Sequence, residues 1–130
     1  MSNHVLVDTN ILVDVIRGFE PTIEQLATIE INANLCISSM TQMELIVGCR
    51  DKAGLKTVES FLTTFEVVSL SELVAQQALE LLRNYNLSHG LLIPDALIAA
   101  TALVIDAPLL SRNQRDFRFI GNLNLLPFPA

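Results

Sequence analysis

Four acidic residues, Asp8, Glu44, Asp95 and Asp116, stand where a carboxylate could do chemistry as well as face water. Asp8 ends the apolar run "HVLVD", and Glu44 lies one turn into the segment after "LCISS". Asp95 follows Pro94 at the opening of "IPDALIAATALVID", and Asp116 comes after "APLLS" in "SRNQRDF". Oxygen ligands with no histidine or cysteine beside them suit a hard dication, Mg²⁺ or Mn²⁺, and not zinc. Two carboxylates about 4 Å apart repel by roughly 4 kcal/mol at an effective dielectric near 20. A fold with about 5–15 kcal/mol of total stability cannot carry several such pairs unless positive charge, or protons, sit among them. Helix N-termini supply part of that compensation, and a divalent cation would supply the rest.

Each acid also has an ordinary structural use, and the sequence leaves both uses open. Asp8 can cap the following helix, while Glu44 sits three residues after Thr41, the spacing of a capping box. Asp95 occupies a first helical turn, where the helix dipole favours an acid, and Asp116 can be a turn residue ahead of Phe117. Thr9, Asn10, Ser38, Ser39, Ser111 and Asn113 offer hydroxyls and amides that orient carboxylates or water, and serve equally as caps and turn formers. Arg112, Arg115 and Arg118 recur every three residues around Asp116. They either hold a phosphodiester beside an acidic pocket or form a solvated edge. Asp14, in the first helix, faces either the pocket mouth or solvent, with solvent the expectation, and His4 and His89 are expected to be ordinary surface or loop histidines.

The elements that must position these residues alternate along the chain. "HVLVD" reads as a strand and gives way to a helical "ILVDVIRG" closed by Gly18, with a second helix after Pro21. "LCISS" leads into "MTQMELIVGCR", a further helix runs through "LKTVESFLTTF", and "EVVSL" is the third strand. Ser71 caps a long helix with Val74, Ala78, Leu81, Leu82 and Tyr85 on one face. "IPDALIAATALVID" is apolar nearly all round and belongs in the interior; "APLLS" is a fourth strand and "NLNLL" a possible fifth. Strands that read as continuous apolar runs between helices indicate a parallel sheet covered on both faces. The fold class is therefore α/β, a three-layer α/β/α arrangement around four to five parallel strands. In such sheets ligands bind beyond the carboxyl ends of the strands, where the four acids fall.

At 130 residues the chain is expected to be a single domain spanning 1–130. It is 51% hydrophobic with a mean hydropathy of +0.46, enough for a full core and some apolar surface for a partner, a homodimer being the simplest. The longest apolar run, Ala96 to Ile105, falls far short of the roughly 20 residues that cross a bilayer. The opening "MSNHVLVDTN" lacks the pattern of a secretory signal, so a cytoplasmic location is expected. Cys36 and Cys49 form no CxxC and are expected to be buried, reduced thiols. A net charge of −6 argues against gripping nucleic acid through bulk positive charge, so any such role rests on a local site. With no Trp, one Tyr and six Phe, extensive base stacking on aromatic platforms is not expected.

The succession "VDTNILVD", "SSMTQMELIVG", "IPDALIAATAL" and "LLSRNQRDF" resembles the PIN-domain nucleases, especially the VapC toxins of prokaryotic toxin–antitoxin pairs, over almost the whole chain and in order. The resemblance implies a Mg²⁺- or Mn²⁺-dependent endoribonuclease that leaves a 5′-phosphate, is usually dimeric and is held inactive by a small antitoxin; the RNA it cuts, a structured tRNA or a loop in a longer transcript, is left open by the sequence. It implies that Asp8 and Asp95 are the metal-binding aspartates, Glu44 the acid after the second strand and Asp116 the last acid. Asn113 matches a polar position of the final motif at which some relatives carry the acid, and Ser111 stands where a threonine is usual.

Two other classes compete. A catalytically weak PIN-like module would bind RNA or protein without cutting. A phosphoacceptor receiver domain also combines an acidic pocket with Mg²⁺, but needs an Asp at the end of the third strand and a lysine after the last. "EVVSLSEL" has no Asp, and the only lysines are Lys52 and Lys56.

Overall fold

The computed structural model describes residues 3–130. Its strands are β1 (His4–Val7), β2 (Asn34–Ser38), β3 (Glu66–Val68) and β4 (Leu109–Leu110). Its helices are α1 (Thr9–Ile16), α2 (Glu20–Glu30), α3 (Ser39–Val47), α4 (Lys52–Leu62), α5 (Glu72–His89), α6 (Ile93–Ile105) and α7 (Gln114–Phe117). The strands form one parallel sheet in the order β3-β2-β1-β4. The chain moves from β1 to one side through β2 and β3, then crosses to β4 on the other. The order reverses beside β1, the point at which open sheets of this kind bind ligands, at the carboxyl ends of β1 and β4.

Side chains alternate across the sheet and both faces are covered, so the strands read as unbroken apolar runs. Val5, Val7, Leu35, Ile37 and Leu110 pack on one face with Ile11, Leu12, Leu26, Leu45 and Leu62 of the helices α1 to α4. Leu6, Cys36 and Leu109 pack on the other with Val74, Ala78 and Leu81 of α5 and with the small residues of α6. Ala96, Ala99, Ala100 and Ala102 are fully buried, so α6 lies close under the sheet and its first turn is fixed at the rim.

Local signals explain where the elements stop. Ser71 accepts from the Val74 N–H at 3.2 Å to start α5, and Gly90 (φ 73°) ends it in the left-handed conformation that glycine adopts without strain. His89 is the last residue of α5 instead of a loop residue, and its ring stacks on Phe119. "NLNLL" yields only a bridge between Leu109 and Leu125, flanked by bonds from the Leu109 N–H to Asn124 and from the Leu126 N–H to Leu109. Pro127 follows at once and has no N–H to extend the ladder, so the sheet has four strands among the described residues. Among the described residues no helix is long and apolar enough to cross a membrane.

Cys36 is fully buried and free, and burial, with the nearby Glu66 charge adding, pushes its thiol up to about 11. Cys49 is only partly buried, because it lies just past the end of α3.

Candidate active site

Asp8 leaves the end of β1 and is the N-cap of α1, its Oδ1 accepting from the Thr9 N–H at 2.7 Å. Oδ2 accepts from the Ser111 hydroxyl at 2.7 Å and from the Asn10 amide at 3.2 Å. Capping thus uses one bond of a carboxylate with about four acceptor positions, and the three donors together leave one position on Oδ1 unassigned. The residue is 4% exposed. Burial raises its pKa, the bonds from Ser111 and Thr9 pull it back, and the charges of Glu44 and Asp116 push it up again.

Glu44 reaches the same place from α3. The helix is capped by Ser38, whose hydroxyl accepts from the Met40 N–H at 3.0 Å, so Thr41 and Glu44 do not form the capping box that their spacing allows. Instead Thr41 is buried, 3.0 Å from the Thr9 hydroxyl, and Thr9 donates to Glu44 Oε1 at 2.6 Å. Thr9 has one proton to give, so this bond aims Glu44 at the start of α1.

Asp95 lies in the first turn of α6, entered through Pro94. Its carboxyl is pushed up to about 6, first by burial and then by the negative charges of Asp8, Asp116 and Glu44. Asp116 lies on α7, exposed, yet both Asp8 and Asp95 feel its charge. Four segments of chain therefore bring their acids to one rim. Among the described residues no three of them close into a tight cage. The donor set, all oxygen and partly neutral at mildly acidic pH, suits a hard dication.

The supporting residues divide. Ser111, directly after β4, donates to Asp8 and accepts from the Asn113 N–H at 3.1 Å. Asn10 bonds Asp8, Ser111 and, through Oδ1, the Arg112 N–H at 3.0 Å. Ser39 turns away, donating to the Val68 carbonyl at 3.3 Å, and ties α3 to β3. Asn113 is exposed at the N-cap of α7, where the Asp116 N–H bonds its carbonyl. Arg115 and Arg118 are exposed, with no ion-pair partner among the described residues.

Asp14 departs most from the sequence reading: it does not face solvent. It is 5% exposed, accepts from the Thr22 hydroxyl at 2.7 Å and pairs with Arg112 Nη1 at 2.6 Å. Asn10 and Asp14 are four residues apart and share a helix face, but what buries Asp14 is Arg112, 98 residues further along the chain. His4 likewise is more than a surface histidine, as it bonds Glu66 across the sheet at 2.8 Å. Gln114, not singled out in the sequence, bonds the carbonyls of Ser111 and Leu126 and so anchors the loop that carries Ser111.

Residues 5–122 match the PIN domain family. The chain is 37% identical over 121 residues to ribonuclease VapC19 of Mycobacterium tuberculosis, covering 91% of this chain and 95% of that protein. It is 34% identical over 120 residues to ribonuclease VapC10 of the same organism, covering 92% and 90%. Among solved structures it superposes on VapBC2 from Rickettsia felis bound to a promoter DNA fragment with a TM-score of 0.80 at 28% identity, over 95% of this chain and 97% of that one. A DNA-bound VapBC from Salmonella typhimurium gives a TM-score of 0.80 at 26% identity, over 95% and 97%. With its acids gathered at the carboxyl end of a four-stranded parallel sheet and relatives that match it nearly end to end, this chain belongs to the PIN-domain family, in its VapC branch.

Proposed function

We propose that this protein is the toxin of a VapBC-type toxin–antitoxin pair, a cytoplasmic endoribonuclease that hydrolyses RNA phosphodiester bonds with the help of Mg²⁺ or Mn²⁺. The observation that carries the proposal is the meeting of four acids at one rim of this fold, where Asp8 feels the charges of Glu44 and Asp116, and Asp95 those of Asp8, Asp116 and Glu44. Asp8 and Asp95 are the residues to hold the ion, because both are raised by burial and by like charges that a cation would offset. Glu44, aimed by Thr9, and Asp116, on the outer side, complete the site or orient water. A dication held there would supply a bound water of lowered pKa and positive charge beside the phosphate.

The chain's own groups do the remaining work. Asp8 stays fixed because its two oxygens are held from α1 and from the loop after β4. Arg115 and Arg118, unpaired among the described residues, offer positive charge to the phosphates of an RNA such as tRNA. Val47 and Leu87 are 83% and 98% exposed, apolar surface that fits a protein that works with partners, a cognate antitoxin and a second copy of itself.

The test is to incubate the purified chain with RNA and Mn²⁺, with and without EDTA. Cleavage that EDTA abolishes, with 5′-phosphate ends, is the expected result. RNA binding without EDTA-sensitive cleavage would select the binding module instead. Growth arrest on expression, reversed by a co-expressed neighbouring gene product, checks the toxin role separately.

A further inference from the structure

Asp14 and Arg112 lie outside the four acids, and both are held. Asp14 is buried on α1, where it accepts from Thr22 of α2 at 2.7 Å and from Arg112 Nη1 at 2.6 Å. The Arg112 side chain is 49% exposed, so one end of the pair is sealed and the other meets water. The backbone of the same arginine donates to Asn10 Oδ1 at 3.0 Å. Asn10 and the neighbouring Ser111 are two of the three donors that hold Asp8. One side-chain bond and one main-chain bond, both from Arg112, therefore pin the loop after β4 to α1, directly beside Ser111 and onto Asn10, two of the donors that fix the Asp8 carboxylate.

We propose that Asp14 and Arg112 act as a positioning pair for the dication site: the ion pair sets the register of the 111–113 loop on α1, and thereby decides which lone pair of Asp8 is left for the metal. This inference rests on the metal-dependent reading above. Arg112 is a tempting phosphate ligand from its place beside Asp116, but its Nη1 is committed to Asp14. Without the pair, Asn10 on α1 and Ser111 on the loop would still be present, but the loop would lose its side-chain tie to α1 and keep only the Arg112 main-chain bond and the Gln114 anchor. Groups behind a metal ligand typically control about 10- to 100-fold in metal affinity.

The test is a double-mutant cycle on Mn²⁺ affinity, read by calorimetry or by the EPR signal of free Mn²⁺, without RNA. D14N and R112Q should each weaken Mn²⁺ binding about 10-fold, the double variant should be no weaker than either single one, and R112K should recover most of the loss. R112Q changes a half-exposed side chain and remains informative if D14N does not fold. Unchanged Mn²⁺ affinity in folded R112Q overturns the proposal, as do additive losses in the cycle. A rise in the KM for RNA confined to the Arg112 variants, with normal Mn²⁺ binding, also overturns it and makes Arg112 a phosphate contact. Wild-type protein that binds no Mn²⁺ sinks the nuclease reading as well, which separates that failure from the others.

Discussion

Two aspartates six residues apart on the same segment, Asp8 and Asp14, are buried to nearly the same depth, 4% and 5% exposed. Asp14 has a guanidinium at 2.6 Å and a buried hydroxyl beside it. Asp8 has neutral donors and, in place of a cation, the charges of Glu44 and Asp116. A buried carboxylate with a partner is structure; one ringed by like charges is a cost that the fold retains. On the proposed reading, that difference separates an ion pair from a site that would receive an ion.

Asp8→Asn should give the largest effect. RNA cleavage in Mn²⁺ should fall by more than about 100-fold, beyond the roughly 10- to 100-fold typical of groups one layer behind a ligand. The melting temperature in EDTA should stay level or rise as repulsion is relieved. A large drop in stability instead would make Asp8 another Asp14, a structural acid. Asp14→Ala should do what Asp8→Asn does not: urea titration should register a loss of about 2 kcal/mol. Thr22 would lose its acceptor, while the half-exposed Arg112 could return to water.

Asp116→Asn should lower Mn²⁺-dependent cleavage about 10-fold and leave thermal unfolding untouched, because the side chain is exposed on the outer side of the site. Asn113→Ala should change neither; if it, and not Asp116→Asn, impairs cleavage, the last ligand position belongs to residue 113. The smallest effect concerns pH. Asp95 has a folded pKa of about 6 against an ordinary 3.8, so the unfolded chain releases this proton first as pH rises. Stability in EDTA should fall between about pH 4 and about pH 6 and then level off. The size should be about 1 kcal/mol, discounting the solvent-exposed part of the group, and Asp95→Asn should flatten the curve.

Element order, the parallel sheet and the rim where the acids meet were legible in the residues, because the apolar runs of β1 and β2 and the buried alanines of α6 admit few other arrangements. The capping of α5 by Ser71 was legible for the same local reason. What pairing partners decide was not. "NLNLL" carries the composition of a strand, but Pro127 stops its ladder. Thr41 and Glu44 have the spacing of a capping box, but Ser38 already caps α3 and frees them for Thr9. Asp14 looked like a solvent acid because its cation lies 98 residues away, in a loop whose position only the closed sheet defines.

The most direct measurement is a crystal of the protein soaked in Mn²⁺ and recorded at a wavelength where manganese scatters anomalously. An anomalous peak within ligand distance of both Asp8 and Asp95 is expected, lost in Asp8→Asn crystals. Density elsewhere, or none at Mn²⁺ concentrations that support RNA cleavage, would contradict the claim that these acids converge in order to hold a dication.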